Sequence, residues 1–96
     1  MKKIHVSTPL TGNTPDEIAH AKENAVVFVA SCISEPLELV EHLCEADVAY
    51  FCKGWQGDAD CVVKQKEAAD SGIYVIEEKD DGTHHHIFPR MNVSVV

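Results

Sequence analysis

The chain has 96 residues, which suffices for one domain and excludes a large multidomain enzyme. It carries 16 acidic and 8 basic residues, a formal net charge of −8, and no cluster of positive charge larger than Lys2-Lys3. Direct binding to a nucleic acid or to a membrane surface is therefore not expected, because both require a basic patch. The same acidity would suit a basic protein partner.

The N-terminus and the cysteines both indicate a cytoplasmic protein. A strand begins almost at once without a signal-peptide apolar core, and the longest apolar run, residues 25–30, is far shorter than a membrane span. None of the cysteines forms a C-x-x-C pair or has zinc-ligand spacing. We expect no metal site, no cofactor, and reduced, mostly buried thiols at Cys32, Cys44, Cys52 and Cys61.

Short apolar runs alternate with helical segments along the chain, which predicts an α/β fold with βαβ units around a parallel sheet. The first strand is predicted over residues 3–7. After a loop, Thr14 can cap a helix, Pro15 can take its first position and Glu17 can close a capping box. This helix is expected to run to about Glu23.

The apolar segment that follows has two interpretations. Its β-branched residues favour a second strand over residues 26–30, which is the interpretation we adopt. Alternatively, the helix continues to Cys32, because apolar side chains also recur at helical spacing. Those side chains are Ile18, Ala21, Ala25, Val29 and Cys32.

A second helix is expected to begin at Ser34, which can act as its cap, with Pro36 in the first turn. A third strand is predicted over residues 47–52, and a third helix over residues 59–71 that ends at Gly72. The buried stripe of the second helix would comprise Leu37, Val40, Leu43 and Cys44. A fourth strand at residues 73–77 and an acidic turn at residues 79–82 complete the prediction.

These elements predict a small Rossmann-like three-layer sandwich with a mainly parallel four-stranded sheet of order 2-1-3-4. Residues 1–78 would form the α/β domain. Residues 79–96 would form a turn and a tail strand, in which Met91, Val93 and Val95 alternate as in an edge strand. This tail would pack on the same domain or on a second protomer, giving a homodimer.

Ligands of open α/β sheets bind beyond the carboxyl ends of the strands where the strand order reverses, here between strands 1 and 3. The loop after the first strand offers hydroxyls and a flexible glycine before a helix start, which favours an anion or a polar ligand edge. Its candidate ligand-binding residues are Ser7, Thr8, Pro9 and Gly12. It lacks the P-loop motif, and the alternative is a turn whose hydroxyls bond to their own backbone.

The loop after the third strand places Trp55, the single tryptophan, between Gly54 and Gly57. A tryptophan on such a loop can stack on a planar base, and Asp58 and Asp60 can bind ribose hydroxyls or a metal. Replacing Trp55 with alanine would then abolish ligand affinity. Alternatively, Trp55 covers the core and the aspartates stabilise a helix N-terminus.

Three segments together resemble the nucleoside 2-deoxyribosyltransferase-like families. Residues 4–12, Ile-His-Val-Ser-Thr-Pro-Leu-Thr-Gly, are similar to the opening strand and loop I-Y-(I/L)-A-G-P-(M/L)-T-G, with Thr8 in place of the first glycine. Residues 39–51 resemble a helix and strand of these families, and residues 54–58 resemble their later Gly-Trp segment. The similarity covers residues 3–77 and is strongest with short phage-borne members of unassigned function.

The resemblance implies an N-glycosidic transferase whose nucleophilic Glu lies nine residues after the tryptophan, and that position is Lys64 here. An ammonium cannot form the glycosyl ester on which this chemistry depends. The resemblance therefore implies a nucleoside- or nucleotide-binding protein without the nucleophile, in which Lys64 pairs with a phosphate. Alternatively, Lys64 forms a surface ion pair with Asp60.

Two other functions stay open. An active N-glycosidic hydrolase or transferase would take its carboxylate from Glu67 or Asp58. An acidic protein-interaction module, such as a phage-encoded inhibitor of a host nucleic-acid-handling or defence protein, would keep the fold only as a scaffold and would bind a basic partner.

The histidines give no strong signal. The run from His84 to His86 is interpreted as an exposed turn that binds metal only adventitiously, although it could make docking of the tail pH-sensitive. His5, His20 and His42 are interpreted as surface or half-buried scaffold residues.

Overall fold

The computed structural model describes residues 1–10 and 12–89, so the predicted tail strand at residues 91–95 lies outside the described residues. Short 3-10 turns are present at Leu43–Glu45 and Trp55–Gly57. The helices and strands are β1 (Lys2–Ser7), α1 (Pro15–Ile33), β2 (Leu37–Leu39), β3 (Val48–Phe51), α2 (Ala59–Ser71), β4 (Tyr74–Glu78) and β5 (His84–Ile87).

In the described part of the chain, five strands form one mixed sheet with the order β2-β1-β3-β4-β5. The first four strands run parallel, and β5 is antiparallel to β4. The α/β class is thus confirmed. The predicted four-stranded sheet is one strand too small, because the histidine run at His84–Ile87 pairs with β4 instead of remaining in an exposed turn.

α1 is longer than predicted and contains residues 26–30, so the strand predicted there is wrong. Neither glycine nor proline interrupts the sequence between the first turn and Ile33, and the helix therefore continues. Ala25 and Val29, which are four residues apart, are buried against the sheet, whereas Val27 is 70% exposed. This is the pattern of a helix with one apolar face, and a strand buried on both faces would not show it.

The predicted second helix is also wrong, because Leu37–Leu39 is the edge strand β2. Ser34, which was expected to cap that helix, ends α1 in a left-handed conformation with φ 56°, and its N–H donates to Ala30 O. Pro36 directly precedes β2, where its missing N–H interrupts no strand pairing. Only the single 3-10 turn at Leu43–Glu45 is helical in this segment, so the predicted buried stripe does not form.

Local capping chemistry fixes the helix ends that were predicted correctly. Thr14 and Glu17 exchange the two hydrogen bonds of a capping box at the start of α1, each 3.2 Å long. Asp58 caps α2 by accepting from Cys61 N–H at 3.1 Å. Gly72 ends α2 at φ 73°, a conformation that costs glycine little, so the predicted helix is confirmed at both ends.

One helix packs on each face of the sheet. α1 places Ala25 and Val29 on one face, and α2 places Ala68 on the other. The α1 face of the sheet is formed by Ile4, Val6, Val48, Tyr50, Cys52 and Ile76. The α2 face is formed by Ala49, Phe51 and Val75. β3 is therefore buried on both faces, as its continuous apolar sequence requires.

All four cysteines are free thiols, but the expectation that most are buried is wrong for two of them. Cys52 and Cys61 are buried, whereas Cys32 and Cys44 are exposed. Cys32 lies in the last turn of α1, and Cys44 lies in the 3-10 turn where an amphipathic helix had been predicted. Among the described residues, no helix is long and apolar enough to cross a membrane.

Candidate functional site

The loops that follow β1 and β3 meet at the carboxyl edge of the sheet. Cys52 N–H donates to Ser7 O at 2.9 Å, and Leu10 N–H donates to the Asp58 carboxylate at 3.2 Å. The order of the parallel strands reverses between β1 and β3, so this edge is the topological switch point at which α/β proteins bind ligands.

Ser7, Thr8, Asp60 and Lys64, which are four of the residues predicted to bind a ligand, line one cleft of about 350 Å³. The cleft lies between the carboxyl half of β1 and the first turns of α2, and we call it the β1–α2 cleft. Its volume is within the range of small-molecule sites, near the lower limit. The structure therefore brings together half of the predicted site.

Two residues that line the β1–α2 cleft have buried polar atoms without a partner among the described residues. His5 and Ser7 are 5% and 4% exposed, and His5 Nε2 and Ser7 Oγ have no hydrogen-bond partner among the residues described. A buried polar atom left unpaired costs about 1–3 kcal/mol. Unpaired buried polar atoms are rare in folded proteins, and a partner outside the protein, such as a water molecule or a polar ligand, would satisfy them.

The protonation of His5 follows from its contacts. Its Nδ1 lies 3.2 Å from Val40 O, and because a carbonyl oxygen only accepts, Nδ1 carries the hydrogen. Burial lowers the pKa of His5 from its ordinary value by disfavouring the imidazolium, with a smaller contribution from the charge of Lys64. His5 is therefore neutral at pH 7, and its Nε2 is a buried hydrogen-bond acceptor on a residue that lines the cleft.

Cations and apolar side chains surround the mouth of this cleft. Lys64 Nζ lies 3.2 Å from Asp60 Oδ2, which is the ion pair proposed as the alternative role of this lysine. Lys22 of α1 lines the same cleft. Leu10 and Leu39, which are 67% and 47% exposed, also line it and present apolar surface at its edge.

The other predicted residues lie elsewhere. Trp55 packs against Phe51, with the ring centroids 5.6 Å apart, within the core cluster on the α2 face. Asp58 uses its two carboxylate oxygens for Cys61 N–H and Leu10 N–H, and these bonds hold its pKa below the usual range. Neither residue lines the β1–α2 cleft. Trp55 packs on the core and Asp58 caps a helix, which are the alternative roles given to them above.

The remaining two predicted residues belong to the first loop. Gly12 has φ 83°, a backbone conformation that other residues rarely adopt, and a Cβ there would meet nothing within 4 Å. Pro9 is buried and lines a second, larger cleft on the α1 face of the sheet, to which Thr8 also contributes.

Sequence reasoning missed His5, Lys22 and Leu39. His5 was expected at the surface or half-buried, but it is buried two residues before Ser7 on the same face of β1. That spacing would have identified it, because residues i and i+2 of a strand point to the same side. Lys22 lies in the part of α1 that was predicted correctly, but nothing in the local sequence shows which cleft it lines. Leu39 could not be placed, because it belongs to β2, where a helix was predicted.

No group of three or more histidine, cysteine, aspartate or glutamate side chains that could hold a metal ion is found within residues 1–10 and 12–89. In the histidine run, Tyr50 Oη lies 3.0 Å from His84 Nε2, and Tyr74 Oη lies 2.6 Å from His86 Nδ1. One nitrogen of each ring is therefore engaged by a phenol.

Comparisons with protein-family models, with curated proteins and with solved structures find no match. The resemblance to the 2-deoxyribosyltransferase-like families stays a prediction. Function must therefore be inferred from the side chains in the clefts.

Proposed function

We propose that this chain is a Rossmann-like protein that binds a nucleoside- or nucleotide-type small molecule in the β1–α2 cleft and does not transfer the sugar. The observation that carries this proposal is that His5 and Ser7, which line this cleft together with Lys22 and Lys64, each have a buried polar atom without a partner among the described residues. A ligand with a hydroxyl would satisfy both atoms.

Each part of such a ligand has a complementary group in the cleft. A sugar hydroxyl can donate to His5 Nε2, and Ser7 Oγ can both donate and accept. A phosphate can pair with the ammonium groups of Lys22 and Lys64. The exposed Leu10 and Leu39 offer apolar surface to the faces of a base.

The positions of the carboxylates favour binding over N-glycosidic chemistry. Glu67 lines a different cleft, together with Asp70, and the oxygens of Asp58 are occupied by backbone N–H groups. Of the described residues, the carboxylates that line the β1–α2 cleft are Glu41 and Asp60, and Asp60 is paired with Lys64. A nucleophile would have to be unpaired and aimed at the anomeric carbon, so among these two only Glu41, which is exposed, could supply it.

The test is incubation of the protein with a mixture of nucleosides and nucleotides, followed by ultrafiltration and mass spectrometry. Selective depletion of one compound without new products is the expected result. Lys64→Met should reduce the depletion strongly, whereas Lys66→Met, an exposed lysine on the same helix, should leave it unchanged. Release of a free base would establish an enzyme instead, and an unchanged mixture would contradict the proposal.

We extend the proposal to compartment and assembly. Four free thiols suit a reducing compartment such as the cytoplasm. A homodimer formed through the C-terminal tail and a complex with a basic protein stay predictions. A salt-sensitive complex without any small-molecule binding would favour the interaction module over the binder.

A further inference from the structure

A second cleft, of about 720 Å³, lies on the opposite face of the sheet, between α1 and the carboxyl ends of β3 and β4. We call it the β3–α1 cleft. It shares only Thr8 with the β1–α2 cleft among the described residues that line the two. Its volume is well within the range of small-molecule sites, and the proposed function assigns it no role.

The polar wall of this cleft is a chain of hydrogen bonds that joins His84, Tyr50 and Glu78. Tyr50 is 4% exposed, and its Oη–H donates to Glu78 Oε2 at 3.0 Å. A phenol has one proton, so His84 Nε2, also 3.0 Å from Tyr50 Oη, must be the donor in the second bond. Burial and the neighbouring Glu78 raise the pKa of Tyr50, which keeps the phenol protonated. Glu78 Oε2 is therefore the acceptor at the end of this chain of hydrogen bonds.

The apolar wall is aromatic. Phe28 stacks on the imidazole of His84, with ring centroids 4.2 Å apart and planes 19° from parallel. Phe28 and Tyr50 form a T-shaped pair, with ring centroids 6.3 Å apart and planes at 70°. Ala25, which is buried, and Ala21 extend the same wall along α1. The wall can therefore receive the apolar or aromatic body of a ligand.

The charges along the cleft are mostly negative. Glu17, Glu78 and Asp80 line it, against Lys53 as the fixed cation. One oxygen of Glu17 is engaged in the capping box of α1. Neither Glu78 nor Asp80 forms an ion pair with any described residue. Both offer acceptors close to an aromatic wall, which is the arrangement that recognises an ammonium group attached to an apolar body.

We propose that the β3–α1 cleft binds a small organic cation, with its ammonium group between Glu78 and Asp80 and its apolar body against Phe28. An ammonium group has three donors and no acceptor, which matches a wall that presents carboxylate acceptors. This site does not depend on the β1–α2 cleft, because it uses different residues on the other face of the sheet.

The test compares two probes of equal shape by NMR titration, 2-phenylethylamine as the cation and 2-phenylethanol as its neutral counterpart. The amine is expected to bind at least about tenfold more tightly and to shift the signals of Phe28 and Tyr50. Equal binding of the two probes, or no binding of the amine, would overturn the proposal. Lys64→Met should leave amine binding unchanged, which separates this site from the one proposed above.

Matched variants locate the charge. Glu78→Gln keeps an oxygen that accepts from Tyr50 but removes the charge, and amine affinity should fall by about tenfold. Glu77→Gln is the control, because Glu77 is the next residue on β4 and bonds to Gln65 instead. Equal effects of the two variants would contradict the assignment. If Glu78→Gln does not fold, Asp80→Asn is titrated with the two probes instead. The affinity for the amine should fall while the affinity for the alcohol stays the same. Full retention of amine affinity would overturn the proposal.

Discussion

The two clefts on opposite faces of the sheet differ in whether their buried polar groups are satisfied within the protein. In the β3–α1 cleft, the phenol of Tyr50 is bonded to both Glu78 and His84. In the β1–α2 cleft, His5 Nε2 and Ser7 Oγ have no partner within the described chain. The β3–α1 cleft can therefore attract a ligand by charge and apolar contact. In the β1–α2 cleft, a ligand could also form hydrogen bonds with groups that have no partner in the described part of the protein.

The difference also separates the two clefts by the charge they accept. Lys22 and Lys64 line the β1–α2 cleft together with Glu41 and Asp60, whereas Glu17, Glu78 and Asp80 line the β3–α1 cleft against Lys53. We therefore propose an anionic ligand for the first of these clefts and a cationic ligand for the other.

Lys64→Glu should have the largest effect, because it reverses the charge beside Asp60 at the cleft proposed to bind an anionic ligand. The affinity for a nucleotide identified by ultrafiltration should fall by about 100-fold, or about 2.7 kcal/mol, as measured by calorimetric titration. Lys66→Glu places the same charge on α2 outside the cleft and should change the affinity far less. Equal losses of affinity in the two variants would mean that the net charge of the protein, and not a contact with Lys64, controls nucleotide binding.

Trp55→Ala should destabilise the protein by about 2 kcal/mol without reducing ligand affinity, since Trp55 packs on Phe51 and does not line the β1–α2 cleft. This expectation replaces the sequence-based one, in which the tryptophan stacks on a base. Urea unfolding and ligand titration measure the two effects separately. Trp55→Phe, as the control, should retain most of the stability. Lost affinity in a folded alanine variant would restore the stacking role.

Ser7→Ala should raise the free energy of unfolding of the ligand-free protein by about 1 kcal/mol, because it removes a buried hydroxyl that has no partner. The same change should weaken ligand binding by about tenfold. Ser71→Ala is the control, since Ser71 Oγ donates to Glu67 O on an exposed surface and its loss should not stabilise. Destabilisation by Ser7→Ala would show that the hydroxyl is already satisfied.

The smallest effect expected is on the pH dependence of stability. The pKa of His5 is lowered in the folded protein, so below its ordinary value near 6.5 the unfolded chain binds a proton that the folded chain does not. This contribution to stability is therefore lost as the pH falls below about 6.5. Urea midpoints at neutral and mildly acidic pH should differ less for His5→Gln than for the unmodified protein. The exposed His20→Gln should behave like the unmodified protein, and a His5→Gln variant that does so too would contradict the prediction.

Helix ends were predictable from the sequence because they depend on local chemistry. Thr14 and Asp58 cap helices through side-chain oxygens that lie within three residues of the N–H groups they satisfy. The segment at residues 26–30 was not predictable in this way, because its β-branched residues suit a strand only if neighbouring strands are available to pair with it. β2 was missed for the same reason, since it pairs with β1 across more than 30 residues of sequence. β5 pairs locally with β4 in a hairpin, and it was missed because the histidine run has no apolar strand pattern.

The residues of the candidate sites also differ in whether they could be found from the local sequence. Ser7 and Lys64 could be found from the ends of a strand and a helix that were predicted correctly. The contacts of Tyr50 with Glu78 and His84 depend on the pairing of β3 with β4 and of β4 with β5, which brings residues 28 and 34 positions away to its phenol. A side-chain cluster of this kind depends on strand pairing and leaves no pattern in the local sequence.

The most direct test of the central claim is nitrogen-15 NMR of the His5 imidazole with and without a mixture of nucleoside 5′-monophosphates. In the free protein, His5 should be neutral, with its hydrogen on Nδ1. Addition of the nucleotides should shift the Nε2 resonance as it accepts a hydrogen bond, while His20 remains unchanged. Nucleotide binding that leaves the His5 resonances unmoved would contradict the assignment of the β1–α2 cleft as the ligand site.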